Sequence, residues 1–259
     1  MNMQKINLVY FSAAGTTEKA VTLFAEGSGL PAEKINITDL KDSYNTEFGP
    51  DELVVFGVPS FAGRVPGPAA ERFSQMKGNN TPIVLLVNYG YREYDDTLIE
   101  MKDMAEAQGF IPVAAAALLA EHSLIPGICT GRPDEKDAQE IRVFAEKVME
   151  KLAEVKAVQD LPELTVKGKR PYKTVGSSSI RPAANENCVS CGFCAKKCPM
   201  GAIPKENPGS AGDDKCIACM RCVAVCPKKA RSVKPEMVAF LNERIAKALE
   251  VEKSNEFVL

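Results

Sequence analysis

The chain of 259 residues carries 45% hydrophobic and 25% charged residues with a formal net charge of -2, the composition of an ordinary soluble globular protein with room for one full domain and a smaller one. That balance gives no general reason to expect nucleic acid or an anionic membrane as a partner. The longest apolar run, IPVAAAALLA at 111–120, is too short to span a bilayer, and the opening MNMQKINLVYF lacks a secretory cleavage pattern, so a cytoplasmic location is expected.

Short apolar runs at 6–11 (INLVYF), 35–38 (INIT), 52–58 (ELVVFGV), 82–90 (PIVLLVNYG) and 111–120 read as strands. They are apolar throughout rather than alternating, as parallel strands buried on both faces are. Helical patterns separate them at 16–27, 67–78, 95–109 and 134–156, the last with Ile141, Phe144, Val148 and Leu152 at helical spacing. The alternation predicts an α/β fold over residues 1–157, an open parallel sheet with helices on both faces.

In such sheets ligands sit beyond the carboxyl ends of the strands. After the first strand, Ser12, Ala13, Ala14, Gly15, Thr16 and Thr17 form a small, hydroxyl-rich turn that opens a helix. Its free N–H groups and hydroxyls suit a single phosphate, and a simple helix cap would use the same residues. After the third strand comes Pro59, Ser60, Phe61, Ala62 and Gly63, followed by Arg64. After the fourth comes Asn88, Tyr89, Gly90, Tyr91, Arg92, then Tyr94 and Asp95. Aromatics on two loops at one sheet edge are able to sandwich a flat ring, with the glycines admitting backbone N–H groups; the plainer alternative is that they cap the sheet. Arg64 and Arg92 are candidates for a ligand's oxygens or for loop caps. His122, the only histidine, lies past the fifth strand and reads either as a proton donor or as a structural side chain.

From 158 the pattern dissolves into proline, glycine and serine, read as a linker or wrapping segment, with 158–180 as the linker between domains. Residues 181–259 then hold two runs, CVSCGFCAKKCP at 188–199 and CIACMRCVAVCP at 216–227, and close with a helical pattern at 234–253 expected to pack back on one of the domains. Each run is C-x2-C-x2-C-x3-C-P, and Cys188, Cys191, Cys194 and Cys198 precede Cys216, Cys219, Cys222 and Cys226 by 28 residues throughout. In a reducing compartment dense cysteine reads as metal binding before disulfides, and zinc sites use pairs rather than triplets with a trailing cysteine and proline. The pattern is that of two four-iron clusters, in which the fourth cysteine of each run ligates the other cluster. Cys188, Cys191, Cys194 and Cys226 are thus expected on one [4Fe-4S] cluster and Cys198, Cys216, Cys219 and Cys222 on the second. Lys196, Lys197, Arg221, Lys228, Lys229 and Arg231 crowd these loops, either as a docking face for an acidic partner or as a surface offsetting the clusters' negative charge. Cys129 stands apart and reads as a packed thiol.

The cysteine segment resembles the bacterial-type two-cluster ferredoxins. The three loops of the first half together resemble the flavodoxin family, whose phosphate loop is S/T-x-T-G-x-T; Ala14 stands here where that family has threonine. The whole chain looks like the flavodoxin–ferredoxin fusion proteins of anaerobes. The resemblance implies a five-stranded sheet in the order 2-1-3-4-5, FMN with its phosphate on 12–17 and its ring between the 60 and 90 loops, and low-potential one-electron transfer. The expected function is an electron carrier linking FMN to two [4Fe-4S] clusters; the alternative is an FMN-dependent reductase of a small molecule, and a sensing module is a third, weaker reading. Expected partners are redox proteins of the ferredoxin- or flavodoxin-dependent kind, with neither nucleic acid nor a membrane span, and the reading is compatible with a homodimer.

Overall fold

The computed structural model describes residues 1–176 and 178–259; Ser177, within the expected linker, lies outside the described residues. In chain order the first part runs β1 (Lys5–Tyr10), α1 (Thr16–Ser28), β2 (Ala32–Asn36), β3 (Thr46–Phe48), β4 (Glu52–Pro59), α2 (Gly67–Phe73), β5 (Met76–Gly78), β6 (Thr81–Tyr89), α3 (Thr97–Ala107), β7 (Phe110–Leu119) and α4 (Glu135–Ala153). The second part holds β8 (Ala183–Ala184), α5 (Phe193–Lys196), α6 (Arg221–Ala224), β9 (Arg231–Ser232), α7 (Pro235–Leu249) and β10 (Glu256–Val258).

The main sheet has the order β2-β1-β4-β6-β7-β10. Its first five strands are parallel, and in their own sequence they give 2-1-3-4-5, the flavodoxin-like order. β1 and β6 are apolar along their length because both faces are covered. Val9, Phe56 and Leu85 point to one face with Phe73 of α2 and Met101 of α3; Leu8, Val55 and Leu86 point to the other with Phe24 of α1 and Phe144 of α4. Phe56 stacks on Phe73 at 4.1 Å, and Phe24 meets Phe144 edge-on at 5.8 Å.

Three details depart from the expected elements. β2 begins at Ala32, three residues before the expected run. The pattern at 67–78 stays helical only to Phe73, and Met76–Gly78 instead pairs with β3 as a small parallel sheet. A Cβ at Gly78 would lie 2.7 Å from the Phe110 ring and 2.9 Å from the Gly109 carbonyl, so the glycine lets this strand lie against the start of β7. The sixth strand, β10, adds antiparallel to β7, with Phe257 opposite Ala116.

The segment after α4 lies along α3. Leu164 and Val166 are buried in the α2–α3 core layer. Lys167 pairs with Glu93 at 3.1 Å, the Lys169 and Lys173 N–H groups donate to Asp96, Arg170 and the Tyr172 hydroxyl reach Asp103, and Lys173 Nζ meets Asp95 at 2.7 Å. α7 packs Ile245 on Ile125 and Ile128, in the loops after β7. Among the described residues no helix is long and apolar enough to cross a membrane.

Candidate redox site

The two cysteine runs fold as a repeated turn. Ser190 and Gly192 in the first run, and Ala218 and Met220 in the second, all have positive φ, at 50°, 73°, 52° and 60°. This left-handed pair curls the chain so that neighbouring thiols face inward. A short helix follows each turn, α5 and α6, and carries the third cysteine. The fourth thiol is held alike in both: Ala202 N–H donates to Cys198 Sγ at 3.3 Å and Ala230 N–H to Cys226 Sγ at 3.3 Å.

The structure gathers the thiols around two spaces. One is lined by Cys198, Cys216, Cys219 and Cys222 together with Ile203 and Arg231. The other is lined by Cys188, Cys191, Cys194 and Cys226 with Pro208 and Arg231. Each set therefore takes its fourth cysteine from the other run. Among the described residues no three His, Cys, Asp or Glu side chains converge tightly enough for a single metal ion. Four thiols ringing a larger space fit a polynuclear iron–sulfur group better than tetrahedral zinc. Burial pushes the Cys219 thiol up to about 12 and raises Cys222, whose rise the Arg231 charge partly offsets. Burial also acts upward on Cys226, but N–H donors of Ala230, Lys228 and Arg231 outweigh it and the net direction is down.

This half sits on the strand ends of the α/β half. Arg221, between Cys219 and Cys222, donates to the Ser12 carbonyl at 2.9 Å and to Asp39 at 2.6 Å. Lys197 pairs with the same Asp39 at 3.0 Å, and Arg72 donates to the Pro199 carbonyl at 2.5 Å. Ile217 and Cys219 pack against the α2–α3 core layer. Arg221 and Lys197 are thus used internally and Arg231 is buried, whereas Lys196, Lys228 and Lys229 are exposed. Of the six basic residues crowding the cysteine loops, these three face solvent.

The turn after β1 has Gly15 at φ 96° as the residue before α1. The Ser12 hydroxyl accepts from Glu18 N–H, and the N–H groups of residues 13–17 find no acceptor among the described residues. Ala14 and Gly15 are exposed, Thr16 is half-buried, and Ala13 and Thr17 are buried, Thr17 against Gly57. Orphan N–H groups at the start of a 13-residue helix fit a phosphate. At the same sheet edge Asn88, 2% exposed, has neither carboxamide atom hydrogen-bonded among the described residues. A buried amide without partners is costly, so the end of β6 fits a polar ligand group.

The loop after β4 turns tightly through Ala62 and Gly63, both at positive φ, with Phe61 and Arg64 bridged across it. Phe61 is half-buried and lies edge-on to Phe11 at 6.5 Å. A Cβ on Gly63 would lie 2.1 Å from Asp95, and Ser60 Oγ is 2.8 Å from Thr97 Oγ1, so this loop and the loop after β6 pack on each other. Arg64 forks onto Glu100 and stacks on Tyr172; Arg92 pairs with Asp95. Pro59 is half-buried.

The three tyrosines of the later loop separate. Tyr89 and Tyr94 are buried as an edge-on pair at 5.3 Å, with the Tyr94 hydroxyl donating to Glu256 at 2.7 Å; burial drives both phenols upward in pKa. Tyr91 is half-buried and donates to the Val251 carbonyl at 2.9 Å. The tail from 251 to 256 therefore lies over the 90 loop. Gly90 sits where a Cβ would meet the His122 ring at 2.5 Å. His122 Nδ1 accepts from Leu124 and Ile125 N–H groups, and burial lowers its pKa, so it is a neutral loop-bracing histidine. Asn88 and Arg221 already stand among the sequence candidates; what only the fold reveals is that the Asn88 amide is unpaired and that Arg221 bridges the two halves.

Strand order and cysteine geometry together define a flavodoxin-like α/β fold joined to an iron–sulfur segment. Residues 187–231 match the 4Fe-4S dicluster domain. No curated protein matches the chain. Among solved structures, a flavodoxin from the domain Archaea has 16% identity and a TM-score of 0.42, over 58% of this chain and 99% of that one. The Streptococcus pneumonia TIGR4 flavodoxin has 14% identity and a TM-score of 0.41 over the same shares. RosB, solved with bound 8-demethyl-8-formylriboflavin-5'-phosphate, has 14% identity and a TM-score of 0.40, over 68% of this chain and 95% of that one.

Proposed function

We propose that this protein is an electron carrier that links FMN, held on the flavodoxin-like half, to two [4Fe-4S] clusters, held by Cys198, Cys216, Cys219 and Cys222 and by Cys188, Cys191, Cys194 and Cys226. The observation that carries the reading is Arg221. It belongs to the ligand turn of one thiol set and donates to the carbonyl of Ser12, the first residue of the phosphate-type loop. The first of these sets is then the inner one, nearest the FMN loop, and the second is the outer port.

When bound, the flavin takes up one or two electrons and each cluster one, which lets the chain connect the two kinds of carrier. The residues' own work is to hold and to shield. Residues 13–17 offer N–H groups to the phosphate, Asn88 offers a polar contact at the strand ends, and Phe61 offers a half-exposed aromatic face. The tail covers Tyr89 and Tyr94 and leaves less room for a small substrate beside the 90 loop, which favours a carrier over a reductase. At the outer set Cys191 is exposed, and Val189 and Phe193 are 60% and 40% exposed beside Lys196, Lys228 and Lys229. An apolar patch with a basic rim suits brief docking of an acidic redox protein.

The test is anaerobic loading with iron, sulfide and FMN, then iron and flavin counts and a reductive titration followed by absorbance and EPR. The expected result is uptake by flavin and by two cluster signals, with slow turnover of small acceptors alone and fast turnover with an acidic carrier protein. Fast reduction of a small acceptor without any partner protein would make the reductase the better reading. Loss of all flavin on gel filtration would remove FMN from it.

A further inference from the structure

The two cysteine runs keep their register beyond the last ligand. Ala202 and Ala230 make the same N–H contact to Cys198 and Cys226, so the next residues, Ile203 and Arg231, occupy equivalent places 28 residues apart. At this place the repeat breaks chemically. Ile203 is an apolar wall of the inner space, while Arg231 lines both spaces.

Arg231 is 3% exposed. Its guanidinium donates to the carbonyls of Pro208 and Pro182, each at 2.6 Å, and of Ser210 at 2.9 Å, and Nη1 stands 3.8 Å from Cys194 Sγ. Nε has no partner, and no carboxylate pairs with the side chain, among the described residues. A buried cation with no counter-ion is strongly disfavoured unless an anion arrives beside it. The spaces on its two sides are those where thiolates would gather around net-negative clusters. An isoleucine would fill the place at no electrostatic cost, as Ile203 does in the other repeat.

We propose that Arg231 is the shared counter-charge of the two clusters, raising both midpoint potentials by stabilising the added electron on either side. The proposal rests on the two-cluster reading above. The fixed positive charge acts on both centres because it lies between them, and its three carbonyl contacts hold it there.

The experiment uses the full chain, loaded anaerobically with iron, sulfide and FMN, as wild type, Arg231→Gln and Arg231→Lys. Iron and acid-labile sulfide are counted, and both cluster potentials are read by EPR-monitored redox titration. A wild-type chain that holds fewer than two clusters overturns the underlying reading, before Arg231 is at issue. With two clusters present, Arg231→Gln is expected to lower both potentials. At a fixed poise its reduced-to-oxidised ratio should fall about tenfold at each centre, ~59 mV for one electron. Arg231→Lys keeps the charge and should shift less than half as far. Equal shifts in both variants, no shift in Arg231→Gln, or a shift confined to one cluster would overturn the proposal. If Arg231→Gln fails to retain clusters while Arg231→Lys retains them, the lysine variant decides: shifts under half of ~59 mV at both clusters uphold the proposal, and larger ones overturn it. If both lose clusters alike, Arg231 is only a brace for the three carbonyls, and the proposal falls.

Discussion

Asp137 shows how much one buried carboxylate organises. It is 1% exposed, accepts from Arg132 and from the Asp134 N–H, and receives Asn255 Nδ2 at 2.8 Å, so it joins the start of α4 to the tail. Burial alone would raise its pKa, but Arg132, the Asp134 N–H and Asn255 outweigh burial and hold it at about 2. A depressed carboxylate stabilises the fold above its ordinary pKa and loses that contribution as pH falls through the folded value. We therefore expect about 2 kcal/mol of stability to disappear between pH ~4 and pH ~2. Asp137→Asn should be less stable at neutral pH and show a shallower acid limb in urea melts collected from pH 2 to 5; an unchanged limb would assign acid sensitivity to other groups. Nothing in the sequence marks Asp137, because its partners lie on either side of it and 118 residues away. The grouping of the cysteines into two sets was legible because their spacing repeats locally.

The segment 167–173, KGKRPYK, reads from composition as a linker or wrapping segment, and it is fastened to α3 and its approach. Arg170 and Tyr172 share Asp103, Lys173 holds Asp95, and Gly168 lies where a Cβ would meet Ile99 at 2.2 Å. Its cations meet Glu93 and Asp95 in the loop before α3 and Asp103 on α3, a match between segments that neither displays alone. Exposed pairs of this kind are each weak and act together. Asp103→Asn should speed tryptic cleavage within 167–173 several-fold, with little change in thermal midpoint. Mass spectrometry of the first fragments tests this, and unaltered cleavage would show that Leu164 and Val166 hold the segment by burial. The strands and the α/β class were readable because continuous apolar runs report burial on both faces. β3, β5 and β10 were not, since strands of three residues leave no period to detect.

For the whole molecule, the decisive contact is the seam between halves. Asp39 takes both Arg221 and Lys197, and these cations outweigh burial to keep its carboxyl below the usual range. Asp39→Ala leaves Arg221, whose side chain is 12% exposed, with its carbonyl partners alone. Under the proposed function, this variant should slow flavin–cluster electron exchange at least several-fold in flash photolysis, while flavin and iron contents stay at wild-type levels. Exchange at the wild-type rate would place the electron path elsewhere. Because the depressed Asp39 charge is lost only in acid, the seam should hold at neutral pH and weaken below the ordinary carboxylate pKa.

The pairing of Phe257 with Ala116 joins positions about 140 residues apart. A strand so remote in the chain closes late, because a long span must be ordered before its single reward is collected. Until then β7 presents a bare edge of alanines, open to the strand of any neighbouring chain. The three residues of β10 thus do more than add one rung to a sheet. Without them that edge is expected to be open to pairing between molecules.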